Sequence, residues 1–247
     1  MEITKDFALL YGILLGDGCL SKVKRKDGKN SFHYLIVITC SYYDDQEFIH
    51  NVVLPLLEKI RGRKTKVCNY RNDGTIRLMF SDKELYYFLR NLDFPRGVKG
   101  DRVIIPEIFY DNCLVRQVIQ GYFATDGCFC LTKNPKKYYP RIESATTNLN
   151  VLGQIHKYLN SIGMDGSIRR VKRIKKYWKT QKSQFHIQFN GHDNLEIFRK
   201  KIGFVNYKHK KKYLNFQNYL KIYEVGKEID YDFNMALPGI EPGTFCA

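Results

Sequence analysis

Leu10-Tyr11-Gly12-Ile13-Leu14-Leu15-Gly16-Asp17-Gly18-Cys19 and Ile119-Gln120-Gly121-Tyr122-Phe123-Ala124-Thr125-Asp126-Gly127-Cys128 follow one pattern: a glycine, an apolar run, a small residue, then Asp-Gly-Cys. The copies are separated by 126 − 17 = 109 residues. A repeat at that distance makes two similar units in one chain, and what flanks each copy agrees. After the first, Leu20 to Arg25 and Phe32 to Thr39 read as strands around a Lys26-Asp27-Gly28-Lys29 turn, and a helix is expected from about Asp45 to Ile60. Thr65 to Tyr70 and Thr75 to Phe80 then flank Asn72-Asp73-Gly74, a strong hairpin signal, and Lys83 to Asn91 is a short helix. The order recurs after the second copy: strands at Cys128 to Thr132 and Tyr138 to Ala145, a helix from Asn148 to Ile162, strands at Ile168 to Arg173 and Gln184 to Phe189, and a helix from Asp193 to Ile202.

The expected class is therefore α+β: two pseudo-symmetric α-β-β-α-β-β-α halves, each an antiparallel four-stranded sheet with helices on one face. The first half is placed at 1–92, a Pro-, Gly- and base-rich linker at 93–107, and the second half with a carboxy-terminal helix (about His209 to Tyr223) at 108–232. The Pro/Gly-rich stretch 233–247 is expected to be disordered.

The 247 residues, 44% of them hydrophobic and 14% aromatic, suffice for packed cores. Lys plus Arg number 41 against 25 Asp plus Glu, a net charge of +16, which points to a polyanionic partner such as nucleic acid, with an anionic membrane surface as the rival. No apolar stretch of about 20 residues and no secretory signal occurs, so a soluble intracellular protein is expected. Seven cysteines without a CxxC pair indicate neither a zinc site nor a disulfide framework, but thiols in a reducing compartment such as cytoplasm or an organelle matrix.

On a helix, Gly12 and Gly16 share a face, as do Gly121 and Thr125, so the two motif helices are expected to pack closely along these small residues. Asp17 and Asp126 then fall at helix carboxy-terminal ends, with Gly18 and Gly127 as expected left-handed caps. Partial negative charge from the dipole makes that a poor place for a carboxylate, at about 0.3–1 kcal/mol each, and paired helices would bring both together. One such Asp-Gly would read as a capped helix end; two in matched context read as a site. A bound cation removes the conflict, and oxygen ligands favour a hard ion such as Mg2+. Two carboxylates on a pseudo-two-fold axis could serve two phosphodiesters, one per DNA strand.

Over roughly residues 7 to 223 the chain resembles the LAGLIDADG homing endonucleases, specifically single-chain members with two motif copies. Besides the motifs, the resemblance includes Ile105-Pro106-Glu107-Ile108, the Val115-Arg116 to Gln120-Gly121 helix entry, and Ile202-Gly203-Phe204. It implies a saddle of two sheets in the DNA major groove and a metal-dependent double-strand break in a long asymmetric target by a monomer, encoded within an intron. Asp17 and Asp126 would be catalytic and, with the main-chain carbonyls of Gly16 and Thr125, would bind two or three divalent ions, with Mn2+ or Ca2+ able to replace Mg2+ in binding. Family members often carry a Lys or Gln at a strand end near the metal-bound water; here the corresponding positions read Cys40, Ser41, Ser81, Thr146 and Asn190, with Lys83 and His192 as nearby substitutes. An RNA maturase acting on host intron RNA, or a non-cleaving DNA-binding protein of the same fold, is the alternative.

Basic residues concentrate in the hairpins where such a saddle would meet DNA. The densest run holds Arg169, Arg170, Lys172, Arg173, Lys175, Lys176 and Lys179, with Tyr177 and Trp178 between them. Lys22, Lys24, Arg25, Lys26, Lys64, Lys66, Arg71, Arg77, Lys136, Lys137 and Arg141 occupy the other hairpins, and Lys208 to Lys212 form a further candidate phosphate clamp. Strand alternation would send one set to base edges and the rest to phosphates.

Overall fold

In a computed structural model, residues 1–26, 31–70, 74–133, 138–172 and 183–224 are described. Helix α1 (Lys5–Asp17) starts where the Thr4 hydroxyl accepts a hydrogen bond from the Phe7 amide at 3.2 Å. It is buried around most of its circumference, from Phe7 through Leu15, because it packs on its own sheet and on the second motif helix at once. β1 (Gly18–Lys24), β2 (Phe32–Ser41), β3 (Val67–Tyr70) and β4 (Thr75–Ser81) form an antiparallel sheet of order β1-β2-β4-β3.

The helix expected from Asp45 to Ile60 is interrupted. α2 (Gln46–Phe48) passes through a π-turn (Ile49–Val53) into α3 (Leu54–Arg61). Pro55, in the first turn of α3, has no N–H to give to the preceding turn, so the bonding register slips there. α4 (Lys83–Asn91) is capped by Asp82, which accepts from the Leu85 amide at 3.1 Å and is paired with Arg61 at 2.9 Å and Arg63 at 2.7 Å.

The second half repeats the first. A short helix α5 (Ile108–Asp111), absent from the sequence expectation, leads to α6 (Val115–Thr125), β5 (Gly127–Lys133), β6 (Tyr138–Thr146), α7 (Leu149–Ser161), β7 (Gly166–Lys172), β8 (Ser183–Asn190), α8 (His192–Lys201) and α9 (Tyr207–Glu224). Its sheet order, β5-β6-β8-β7, is that of the first.

In both sheets burial alternates along the strands, except in β8, where Gln188 is buried between Ile187 and Phe189. Leu20, Ile36, Ile38, Ile76 and Leu78 in one, and Phe129, Ile142, Ile187 and Phe189 in the other, lie under the helices at 1% exposure or less. The intervening residues, Val37 and Met79 or Glu143 and Arg141, belong to the face that no helix covers. Each helix-facing Leu, Ile or Phe contributes about 1.5–3 kcal/mol of burial, which fixes the register and so decides which side chains the open faces present.

The motif helices meet as the small-residue stripes require. A Cβ built at Gly12 would collide with the Val118 carbonyl oxygen and lie 2.9 Å from the Tyr122 nitrogen; one at Gly121 would strike the Leu9 carbonyl oxygen and lie 2.9 Å from the Ile13 nitrogen. At Gly16 it would overlap the Thr125 hydroxyl. Gly18 and Gly127 differ from expectation. Gly18 is extended (φ −88°, ψ 153°) and neither glycine has positive φ, because the chain turns straight from helix into strand. They are required by proximity instead: a Cβ at Gly18 would sit 2.6 Å from the Leu14 carbonyl oxygen, and one at Gly127 2.6 Å from that of Phe123.

Candidate active site

Close packing of α1 on α6 carries Asp17, the last residue of α1, and Asp126, the C-cap of α6, to one end of the shared interface. Burial and then the charge of Asp126 push the Asp17 carboxyl from 3.8 up to about 7. Asp126 is also raised, by burial, against the pull of Lys99 and Lys208. The Cys40 thiol donates to Asp17 Oδ2 at 3.3 Å, and burial followed by the Asp17 charge holds that thiol protonated. Of the strand-end positions read from sequence as neighbours of the reaction, Cys40 is the one that touches a motif carboxylate among the described residues. Lys83 and His192 open α4 and α8, and the His192 ring packs 5.2 Å from Phe216.

The cations that flank the pair came from elsewhere. Lys99 lies in the segment after α4, which is pinned to the sheet by a bridge between Leu20 and Arg96, by the Gly97 amide donating to the Leu20 carbonyl at 2.8 Å, and by turns at Gly97 (φ 74°) and Gly100 (φ 55°). Its ammonium donates to the carbonyls of Leu14 (3.1 Å), Leu15 (2.7 Å) and Gly16, at the negative end of the α1 dipole. Burial lowers the Lys99 pKa although Asp126 and Asp17 favour its charge.

Lys208 occupies the matching place in the second half, since 208 − 99 = 109 repeats the spacing of the two Asp residues. It lies in the first turn of α9, where the dipole disfavours a cation, and is held by Asp45 at 3.0 Å. Burial acts to lower its pKa and Asp45 outweighs that, so it is raised. Asn206, fully buried, donates to Asp45 Oδ1 at 2.7 Å and to the Ala124 carbonyl at 2.8 Å, tying the end of α6 to the first half.

Two carboxylates at helix carboxy-termini and a lysine at a helix amino-terminus all oppose their dipoles, and all converge on one spot. Such concentrated conflict marks a functional site more than a structural one. Among the described residues no group of three His, Cys, Asp or Glu gathers to hold a metal ion. The donor set is instead two carboxylates with main-chain carbonyls, hard oxygens, and Lys99 already places a positive charge on the Gly16 carbonyl. That chemistry fits a hard divalent cation.

The basic residues divide by strand parity. Arg77, Arg141 and Arg169 are on the open faces of β4, β6 and β7. Lys22 and Lys24 fall on the helix-side alternation of β1, with the Lys22 ammonium 4.3 Å from the Phe32 ring centre, so they do not share the open face with Arg77. Arg170 likewise faces away, bonded to Ser183 at 2.8 Å. Arg25, Lys26, Lys64 and Lys66 are exposed in loops, and Lys172 ends β7. Arg71, Lys136, Lys137, Arg173, Lys175, Lys176 and Lys179, together with the stretch 233–247, lie outside the described residues.

Residues 114–203 match the LAGLIDADG-like domain family model. The homing endonuclease I-DmoI superposes with a TM-score of 0.55 at 21% identity, over 80% of this chain and 95% of that one. The chain has the LAGLIDADG fold. The LAGLIDADG meganuclease I-AabMI, bound to uncleaved DNA, gives a TM-score of 0.53 at 13% identity over 90% of this chain and 93% of its own. The meganuclease I-SmaMI, bound to uncleavable DNA, gives 0.57 at 12% over 88% and 90%. A curated relative, reverse gyrase of Methanocaldococcus jannaschii, is 31% identical over 234 residues, 93% of this chain. The chain spans 12% of the length of that protein. No helix among the described residues is long and apolar enough to cross a membrane.

Proposed function

We propose that the chain is a site-specific DNA endonuclease that, as a monomer, breaks both strands of a long asymmetric duplex by divalent-metal-dependent hydrolysis, with halves at 1–92 and 108–232 joined by 93–107. The observation that carries this reading is the buried Asp17/Asp126 pair on a two-fold helix interface, flanked by Lys99 and Lys208 and bordered by two open sheets. Similarity of fold to nucleases solved with DNA and with Ca, Mn or Mg supports it.

In this reading Asp17, Asp126 and the carbonyls of Gly16 and Thr125 hold the metal ions, Mg2+ in the cell. When bound, such ions supply Lewis-acid polarisation of the phosphate and a water acidic enough to attack it. The chain's own residues do the rest. The Gly12/Gly121 contact fixes the separation of the carboxylates, since neither helix can move without colliding backbones. Cys40 orients Asp17 by donating to Oδ2, leaving the other oxygen for the ion. Lys99 from the linker and Lys208 from the second half are placed to offset charge that develops on each scissile phosphate. Exposed Lys64, Lys66, Arg25 and Lys26 supply phosphate affinity, and the open-face Arg77, Arg141 and Arg169 meet bases.

The test is incubation of the full chain with a library of duplexes in Mg2+ and in EDTA. Cleavage of both strands in Mg2+ and none in EDTA is expected, and Asp17→Asn or Asp126→Asn should abolish it while binding persists. Selective binding without cleavage in Mg2+ would replace the endonuclease with a DNA-binding protein, and selective capture of structured RNA over duplex DNA would replace it with a maturase.

A further inference from the structure

Resting on the reading of the chain as a DNA-binding protein, we propose that its two sheets recognise their half-sites by different chemistry: the first by apolar contact with thymine methyl groups, the second by hydrogen bonds to base edges. The two sheets have matched registers, so their open faces correspond row by row. In the first sheet Cys19 pairs with Val37 and Val37 with Met79; in the second the same row runs Cys128, Glu143, Gln188. One row further along β2 and β6, Leu35 stands where the second half has Arg141. The row on the other side places Arg77 opposite Thr39, against His186 opposite Ala145.

The open face of the first sheet is thus short of hydrogen-bonding groups at its centre. Met79 is 45% exposed and Val23 48%, while Val37 and Leu35 are half-buried. Within β1, β2 and β4, Arg77 is the one Lys or Arg on that face, and Arg25 follows on the same alternation just past the end of β1. Exposed apolar side chains on a central sheet face cost free energy in the isolated protein and call for an apolar partner surface. In a duplex major groove that surface is the thymine C5-methyl, the one apolar group presented there.

The second face is built the opposite way. The Arg141 guanidinium donates to Asn190 Oδ1 at 2.8 Å and to Glu143 Oε2 at 3.4 Å. Gln188 donates to Glu143 Oε2 at 3.2 Å and accepts from Arg169, and the Cys130 thiol donates to Glu143 Oε1 at 3.2 Å. The network pre-sets rotamers of groups whose remaining donors and acceptors match base edges: Arg for guanine, Gln and Asn for adenine, Glu for the cytosine amine. Gln184 Oε1 and His186 Nε2, on the same alternation of β8, are buried and have no hydrogen-bond partner among the described residues. The duplex suited to this molecule therefore has a thymine-rich, tolerant half under the first sheet and a sharply specified mixed half under the second.

The experiment is selection from a duplex library randomised over both halves, bound by the full chain in EDTA, followed by uracil-for-thymine replacement in the selected duplex. Arg141→Ala assigns the halves: it is expected to relax base preference in one half, which is then the half under the second sheet. In the other half each contacted thymine replaced by uracil should weaken binding roughly two- to fourfold, the effect of one lost methyl contact. The Leu35→Ala, Met79→Ala double variant should abolish that sensitivity and still bind. Equal uracil sensitivity in both halves, a guanine-rich consensus opposite the first sheet, or no effect of Arg141→Ala would overturn the proposal while leaving DNA binding intact. Failure to enrich any duplex would overturn the DNA reading and this inference with it.

Discussion

Asp17→Asn is expected to stabilise the metal-free protein while destroying its chemistry. The Asp17 carboxyl releases its proton near 3.8 in the unfolded chain but only near about 7 when folded, because burial and then the Asp126 charge oppose ionisation. Between those values the folded state binds more protons than the unfolded one, so stability falls as pH rises and the full cost is present above about 7. At about 1.36 kcal/mol for each tenfold change in proton affinity, the difference amounts to about 4 kcal/mol, which the partial solvent access of Asp17 trims to about 2–3 kcal/mol. Asparagine has the same shape, can still accept from Cys40, and carries no charge. Urea or thermal denaturation in EDTA should find the variant more stable than wild type by about 2–3 kcal/mol at pH 8, a rise in Tm of roughly 5–10 °C, with the gap closing towards pH 4. Mg2+ should raise the Tm of wild type and leave the variant nearly unmoved. A variant no more stable than wild type at pH 8, or a gap that does not change with pH, would refute the reasoning.

Gly121→Leu should cost roughly 1–3 kcal/mol by overpacking, since the atoms it meets are the Leu9 carbonyl and the Ile13 amide rather than yielding side chains, and should lower cleavage more than DNA binding; denaturation and the two assays on one variant check it. Lys99→Met removes the cation facing the α1 carbonyls and both carboxylates, so the metal-free protein should lose more stability at pH 8 than at pH 5, and cleavage should fall by roughly 10²-fold with KM for DNA little changed. Asp82→Ala should cost about 1–3 kcal/mol in urea denaturation through the lost α4 cap and the uncovered Arg61. Burial would raise Asp82, but hydrogen bonds from Arg63 and Arg61 hold it below the ordinary carboxyl range, so its contribution is present at neutral pH and lost as the solution is acidified through that lowered pKa.

The repeat was legible because its physics is local: small residues four apart announce a close helix contact, and each sheet strand alternates between covered and open positions. The halves, the two sheets and the carboxylate pair follow from that. Other features depended on contacts distant in sequence. The role of Gly18 emerges only when strand and helix are seen to leave Leu14 no room for a Cβ. The split at Ile49–Val53 had a signal, Pro55, that apolar periodicity outweighed. Parity within a strand could not say that Lys22 lies with Phe32 while Arg77 faces outward, because register against the helices decides it. Lys99 and Lys208 sit in loops and a helix start whose placement rests on the Leu20–Gly97 bond and the Asn206–Asp45 staple. Their one sequence signal was the spacing, the same 109 residues that separates Asp17 from Asp126.

That spacing also explains how one fold can hold symmetric and asymmetric parts together. The phosphodiesters on the two strands of a duplex are related by a two-fold axis whatever the bases, so groups acting on them must come in matched pairs. In the proposed endonuclease, Asp17 with Asp126 and Lys99 with Lys208 are such pairs, and Gly12 with Gly121 sets their spacing. Base sequence carries no such axis, and the open faces have diverged at equivalent rows, Val37 against Glu143 and Leu35 against Arg141. Two copies of one half-chain would be bound to a palindrome, since any change on a sheet would appear twice. Joining the halves frees each sheet to change alone while the helix contact still holds the carboxylates in register. Substitutions on a sheet should therefore alter preference in one half-site, and substitutions between the motif helices should impair cutting of both strands together.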